Sequence, residues 1–310
     1  MRRTPLSSSG SRAALTRPLT AVAAAALVAG VLAGCTGTPS AADCDPVLPA
    51  GDASKAVTVN GDVDARPAPD YPTPLIAPTP ERSVAVAGHG APVPEGGVAL
   101  VRVTIADAAS DTVLEEPTGF VTARDSFLAL GNALVCATEG SRVVVVGSAA
   151  DVWPRAGVDT VVAVMDVQQV FLGKADGVNQ LPLDGMPTVV TAVDGTPGIA
   201  LAYSPAPEEV RTATIKAGGG AVVEDGDRVV YHGRSWNWPS SSQGSPTIAE
   251  LDSWTNFQAR YLDIDAASSE PVQQALLGAK VGSQLLVVVP GADNRPATIV
   301  VIDILGIVQE

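Results

Sequence analysis

Residues 275–284 read Ala-Leu-Leu-Gly-Ala-Lys-Val-Gly-Ser-Gln, a near repeat of Ala-Leu-Val-Cys-Ala-Thr-Glu-Gly-Ser-Arg at 133–142. An apolar strand candidate follows at once in both places, 285–289 and 143–146. A polar loop then leads to a second one, 298–305 and 160–167. Upstream, a glycine turn at 88–96 mirrors another at 218–226. Two signatures in the same order and at similar spacing point to an internal duplication. The chain reads as two tandem copies of one domain.

The first 34 residues contain Arg2, Arg3, Arg12 and Arg17 and no acid, then an apolar run of small residues from Leu19 to Ala33. That pattern is an export signal, too short for a comfortable membrane span. It ends in Leu32-Ala33-Gly34-Cys35, which resembles the bacterial lipobox, with Cys35 as the lipidated new N-terminus. The alternatives are an uncleaved anchor or an ordinary secretory signal, and Arg2-Arg3 hints at a twin-arginine route. The formal charge of −14 becomes more negative once those arginines leave. No Lys/Arg cluster offsets it, which excludes nucleic acid as a partner.

Of the three cysteines, Cys44 and Cys136 remain after Cys35 is spent on lipid. Outside the cytoplasm such a pair is expected to be oxidised, the alternative being two buried thiols. Residues 35–56 lack periodicity and read as a tether. A first domain is expected at 57–172, a linker at 173–187 and a second domain at 188–310. Within them, 127–135 reads as a short helix or turn and 270–277 as the best helix, with Pro271 in its first turn and Gly278 after it. Short helices among antiparallel strands make an α+β fold, two copies in series.

The motifs of the second copy resemble the FKBP-type peptidyl-prolyl isomerases. Gly226-Asp227-Arg228-Val229-Val230-Tyr231-His232-Gly233 is similar to the family's strand that opens on Gly-Asp and ends in a pocket tyrosine and a glycine. Leu251-Asp252-Ser253 resembles its Phe-Asp-Ser. Residues 275–282 resemble the end of its pocket helix and the Lys-Val-Gly turn, and Ala297-Thr298-Ile299-Val300-Val301 its final strand. The resemblance implies an antiparallel sheet wrapped on a short helix and catalysis without a nucleophile, cofactor or metal. An X–Pro bond turns over a barrier of about 18–20 kcal/mol. A dry aromatic cradle lowers it by favouring the twisted amide.

Carried across, the catalytic pair is Tyr231 and Asp252. The cradle positions become Leu251, Val272 and Val301, aliphatic where the family has rings, and Val101 replaces the tyrosine in the first copy. Six aromatics lie between Tyr231 and Tyr261: those two, Trp236, Trp238, Trp254 and Phe257. Either Trp236, Trp238 or Trp254 rebuilds the pocket, or these rings pack the core. His89 and His232 read as solvated, Asp263 and Asp265 as water-facing rather than calcium ligands, and Ser240–Ser242 as loop polarity. Two functions stay open: an envelope-anchored isomerase acting on X–Pro bonds of exported proteins, or a binding or chaperone module that kept the scaffold and lost catalysis. On either reading the membrane is met only through the lipid.

Overall fold

The computed structural model describes residues 44–309, apart from 64, 111, 125–127, 202–204, 242–243 and 293–294. Cys35 and residues 1–34, the stretch expected to be an export signal, lie outside these residues. Apolar, β-branched runs dominate the chain, and they form mostly antiparallel sheet with few helices.

The first sheet comprises β3 (Glu81–Val86), β4 (Val98–Asp107), β5 (Val113–Glu115), β6 (Thr118–Thr122), β7 (Arg142–Ser148) and β8 (Thr160–Phe171). Its order is β3-β7-β8-β4-β5, with β6 also on β4. The second comprises β9 (Val178–Asn179), β12 (Arg211–Ala217), β13 (Arg228–Asn237), β14 (Thr247–Asp252), β15 (Arg260–Asp263), β16 (Gln284–Val289) and β17 (Thr298–Ile307). Its order is β14-β13-β17-β16-β12-β9, with β15 also on β13. Without β9, the two orders are the same when read strand for strand.

The repetition extends to single residues. Pairing slips between Leu100 and Val101 where β4 meets β8, and between Val230 and Tyr231 where β13 meets β17. The bulge therefore makes Val101 the counterpart of Tyr231. Besides α3 (Ala149–Val152), which follows β7, the helices α2 (Leu128–Leu134) and α4 (Pro271–Leu276) precede β7 and β16 in turn. After each, a residue in left-handed backbone ends the turn: Cys136 at φ 69° and Gly278 at φ 79°. Their N–H groups donate to the carbonyls of Val93 and Val223 in turn. The helix expected at 270–277 is thus present. Its N-cap is Glu270, which makes no side-chain capping bond.

Each sheet has an inner face toward its helix and an outer face covered by a preceding hairpin. The inner clusters gather Val101, Leu130, Leu134, Val143 and Met165 in the first half, and Val229, Leu276, Leu285, Ile302 and Ile304 in the second. The outer hairpins are β1 (Thr58–Asn60) with β2 (Ala68–Asp70), and β10 (Thr188–Thr191) with β11 (Pro197–Ala200). A small apolar seam joins the two sheets, Val98 and Phe171 meeting Val230 and Leu305.

Two expectations change. Part of the stretch taken as a tether is folded: α1 (Asp52–Ala56) docks on the first sheet with Ala53 and Ser54 buried. Its Ala53 and Ser54 N–H groups donate to the Glu81 carboxylate at 2.9 and 3.1 Å. A five-residue helix has too little amphipathic length to stand out in sequence. The stretch taken as a linker is also built in. Gly177 N–H donates to Gly282 O at 3.0 Å, and β9 extends the second sheet. Cys44 and Cys136 form a disulfide that ties the N-terminal arm to the end of α2.

Candidate functional site

The inner face of the second sheet is where the carried-over site should assemble. Side chains alternate across a strand, so Tyr231 and Gly233 share one face while His232 and Arg234 share the other. Tyr231 lies on the inner face with Leu251 and Val272. It packs beside Leu251 over Gly233, where an added Cβ would stand 2.8 Å from Leu251 and 3.2 Å from Tyr231. Only glycine permits that approach. Burial raises the Tyr231 phenol above its ordinary pKa, against the opposing charge of Arg260. Around it stand Leu276, Ile302 and Ile304, so the space between sheet and α4 is aliphatic core.

Asp252 is not with Tyr231. It lies directly across the sheet from Arg234, and directly opposed residues share a face. Its two carboxylate oxygens accept from Arg234 Nε at 3.0 Å and Arg234 Nη2 at 3.2 Å. They also accept from Trp254 N–H at 3.0 Å and from Thr255 Oγ1 at 2.6 Å. Burial works to raise the Asp252 pKa, but the Thr255 hydroxyl and the Arg234 guanidinium outweigh it and hold the carboxyl below its usual range. Asp252 thus anchors a turn on the outer side. Among the described residues, no hydrogen bond reaches the Tyr231 hydroxyl.

Val301 is on the outer face too, with Trp236, Trp238 and Val288. Its neighbours Val300 and Ile302 face Tyr231 instead. In a strand a shift of one residue reverses the face, so Val301 and its neighbours point to opposite sides. Trp254 is buried on the His232 side, its ring 4.5 Å from the imidazole and 6.0 Å from Phe257. Trp236, Trp238 and Trp254 are therefore packing residues of the outer face, and none reaches the space beside Tyr231.

His232 also departs from expectation. It is fully buried rather than solvated, with Nδ1 2.9 Å from Ser253 Oγ. Burial, with the charge of Arg124, lowers its pKa to about 4. The outer hairpin and the Trp254 turn cover this face, which strand alternation alone does not reveal. His89 is exposed, as its reading as solvated expected, and its backbone N–H donates to Glu139 O. Asp263 is taken up by Arg228 at 2.6 Å, across the strand pair. Asp265 caps its own turn through the Ala267 N–H. Among the described residues, no group of three or more His, Cys, Asp or Glu is placed to hold a metal. Within the same residues, no helix is long and apolar enough to cross a membrane.

Sequence reasoning missed two buried polar pairs at matched places. Arg142 and Asp166 form an ion pair with both side chains wholly buried, Nε to Oδ1 2.5 Å. Gln284 and Asp303 take the same places in the second sheet, Nε2 to Oδ1 2.7 Å. The signal was available, since both pairs lie inside the repeated segments as polar residues in apolar strands.

No family model and no curated protein matches the sequence. Among solved structures, the chain is similar to FKBP-type proteins. The three FKBP domains of wheat FKBP73 are 13% identical, with 74% of this chain and 95% of that one covered, at a TM-score of 0.32. FkpA from Escherichia coli is 17% identical over 38% of this chain and 51% of its own, at 0.25. The N-terminal domain of FKBP42 from Arabidopsis thaliana is 20% identical over 37% and 98%, at 0.27.

Proposed function

We propose that the chain is an exported lipoprotein, anchored through Cys35 on the extracytoplasmic face of the cell membrane. On this reading 57–172 and 188–310 are two FKBP-like domains joined by 173–187. They hold proline-containing segments of exported proteins without turning them over. The observation that carries the reading is the separation of Tyr231 and Asp252 onto opposite faces of β13 and β14, with Asp252 committed to Arg234. A rim that positions a substrate needs both groups on one side. A cradle that favours a twisted amide needs a dry hollow, and here Val272, Leu276 and Ile302 fill that place.

A second reading, an isomerase confined to 188–310, is favoured by Tyr231 held on Leu251 over Gly233, its hydroxyl unbonded among the described residues. The deciding experiment is a prolyl-isomerisation assay on the soluble protein from Thr36 to Glu310, beside Tyr231→Ala and Asp252→Ala. No turnover above the uncatalysed rate is expected, together with saturable binding of a proline-containing peptide. Turnover that falls in both variants would establish the isomerase.

A further inference from the structure

A cavity of about 640 Å³ opens on the outer face of the second sheet, between the β10–β11 hairpin and the strands β12 and β16. Its volume is that of a small-molecule site. The floor is Ala213, Ile215 and Leu286, and Met186 and Val189 form the opposite wall. Among the described residues, the matching place in the first half is occupied by α1. There Ser83, the counterpart of Ala213 by the matched bulges of β3 and β12, donates to Ser54 O at 2.8 Å. Ala53 and Ser54 of α1 are buried over it. In the second half the chain before the hairpin is a turn, so the hollow persists.

Lys174 and Lys216 line the cavity, and among the described residues no acidic side chain does. In a chain with 33 Asp and Glu against 19 Lys and Arg, that local reversal is specific. Lys174 Nζ donates to Val193 O, and Lys216 Nζ donates to Ala175 O at 3.1 Å. Each ammonium has three protons, so each keeps donors for a ligand. Behind the floor, Asp303 is buried and its carboxyl is pushed upward by that burial, which limits how far it offsets the lysines. Val193 is 94% exposed and Leu183 48% exposed at the rim, apolar surface that a bound chain would cover.

We propose that this cavity binds one acyl-chain carboxylate, its hydrocarbon between hairpin and sheet and its head group at Lys174 and Lys216. The site is on the face opposite Tyr231, so it stands or falls independently of prolyl binding. The test is calorimetric titration of the purified protein with monomeric dodecanoate and, in parallel, with dodecyltrimethylammonium. Saturable binding of one dodecanoate per chain is expected, with the cation binding at least about tenfold more weakly. Lys174→Gln with Lys216→Gln should weaken dodecanoate about tenfold, and Ile215→Trp should abolish its binding by filling the floor. Equal affinity for the two amphiphiles, or no saturable binding to the folded protein, would overturn the proposal. Should Ile215→Trp fail to fold, the lysine variant decides: unchanged affinity there also overturns it.

Discussion

The two halves share strand order, bulge positions and helix ends, yet differ at nearly every polar position that joins sheet to hairpin. In the first half Arg142 bridges Asp166 to the carbonyls of Gly61 and Asp62, at 2.6 and 2.8 Å. In the second Gln284 donates to Asp303, and its Oε1 lies 3.3 Å from the Thr191 hydroxyl. At the start of the outer edge strand, Glu81 accepts N–H groups at the start of α1. Its counterpart Arg211 instead donates to the carbonyls of Asp184 and Gly185, at 2.9 and 3.2 Å for Asp184 and Gly185. The lesson is that backbone topology survives a change of charge, provided the groups at these matched positions still find partners of the right sense.

The largest way to break the comparison is to transplant one half's solution alone. Arg142→Gln removes the charge that offsets the buried Asp166 carboxylate and the bonds to Gly61 O and Asp62 O, and the loss in unfolding free energy from urea titration should be about 3–5 kcal/mol. Adding Asp166→Asn removes the unpaired charge and should recover part of that loss. A neutral result for the single variant would mean the ion pair and its hairpin contacts are replaceable by water.

Next in size is acid. His232 has its folded pKa lowered to about 4 from 6.5, so the unfolded chain binds more protons between those values. Its contribution is therefore intact above about pH 6.5 and is lost as pH falls toward 4. The cost amounts to about 3 kcal/mol. Asp303, paired across the strands, runs the other way, since its raised pKa favours the folded state as pH falls. Comparison with His232→Asn isolates the histidine: the stability difference between the two proteins should shrink as pH drops from 6.5 to 4. The first half has Arg102 opposite Asp166 at this place, and arginine does not titrate in that range. A difference that stays constant with pH would remove His232 from the account.

The smallest expected effect sharpens the edge-strand contrast. Glu81→Ala removes the acceptor at the N-terminus of α1 and should cost about 1 kcal/mol, read as a lower urea midpoint. Arg211→Ala, whose contacts are at the surface, should cost less. Equal losses would show that the two edges are held in the same way despite their opposite charge.

The strands and the two short helices were legible because they rest on local pattern: apolar continuity, Pro271 and Gly278. What a strand's second face meets was not legible. His232 looked solvated because nothing local announces that the 188–200 hairpin and Trp254 will cover it. Asp252 and Val301 matched family motifs by order, yet a motif in a strand does not settle which side it faces when a bulge intervenes. Leu251 and Val272 reached Tyr231's side because their neighbours in α4 and β13 hold the register there. The α1 helix escaped notice for a different reason: its stability comes from Glu81, 28 residues away from Ala53 in the chain.

The Cys44–Cys136 link also decides how this protein responds to being pulled. In the proposed anchored form, tension from the lipid enters the described fold at Cys44. Without the link it would peel away α1 and the β1–β2 hairpin one contact at a time, from the outer face. With it, the load passes directly to the end of α2 and is shared by the whole inner core of the first half. The arm behaves as a fixed tow point, and the two sheets travel with it as one piece.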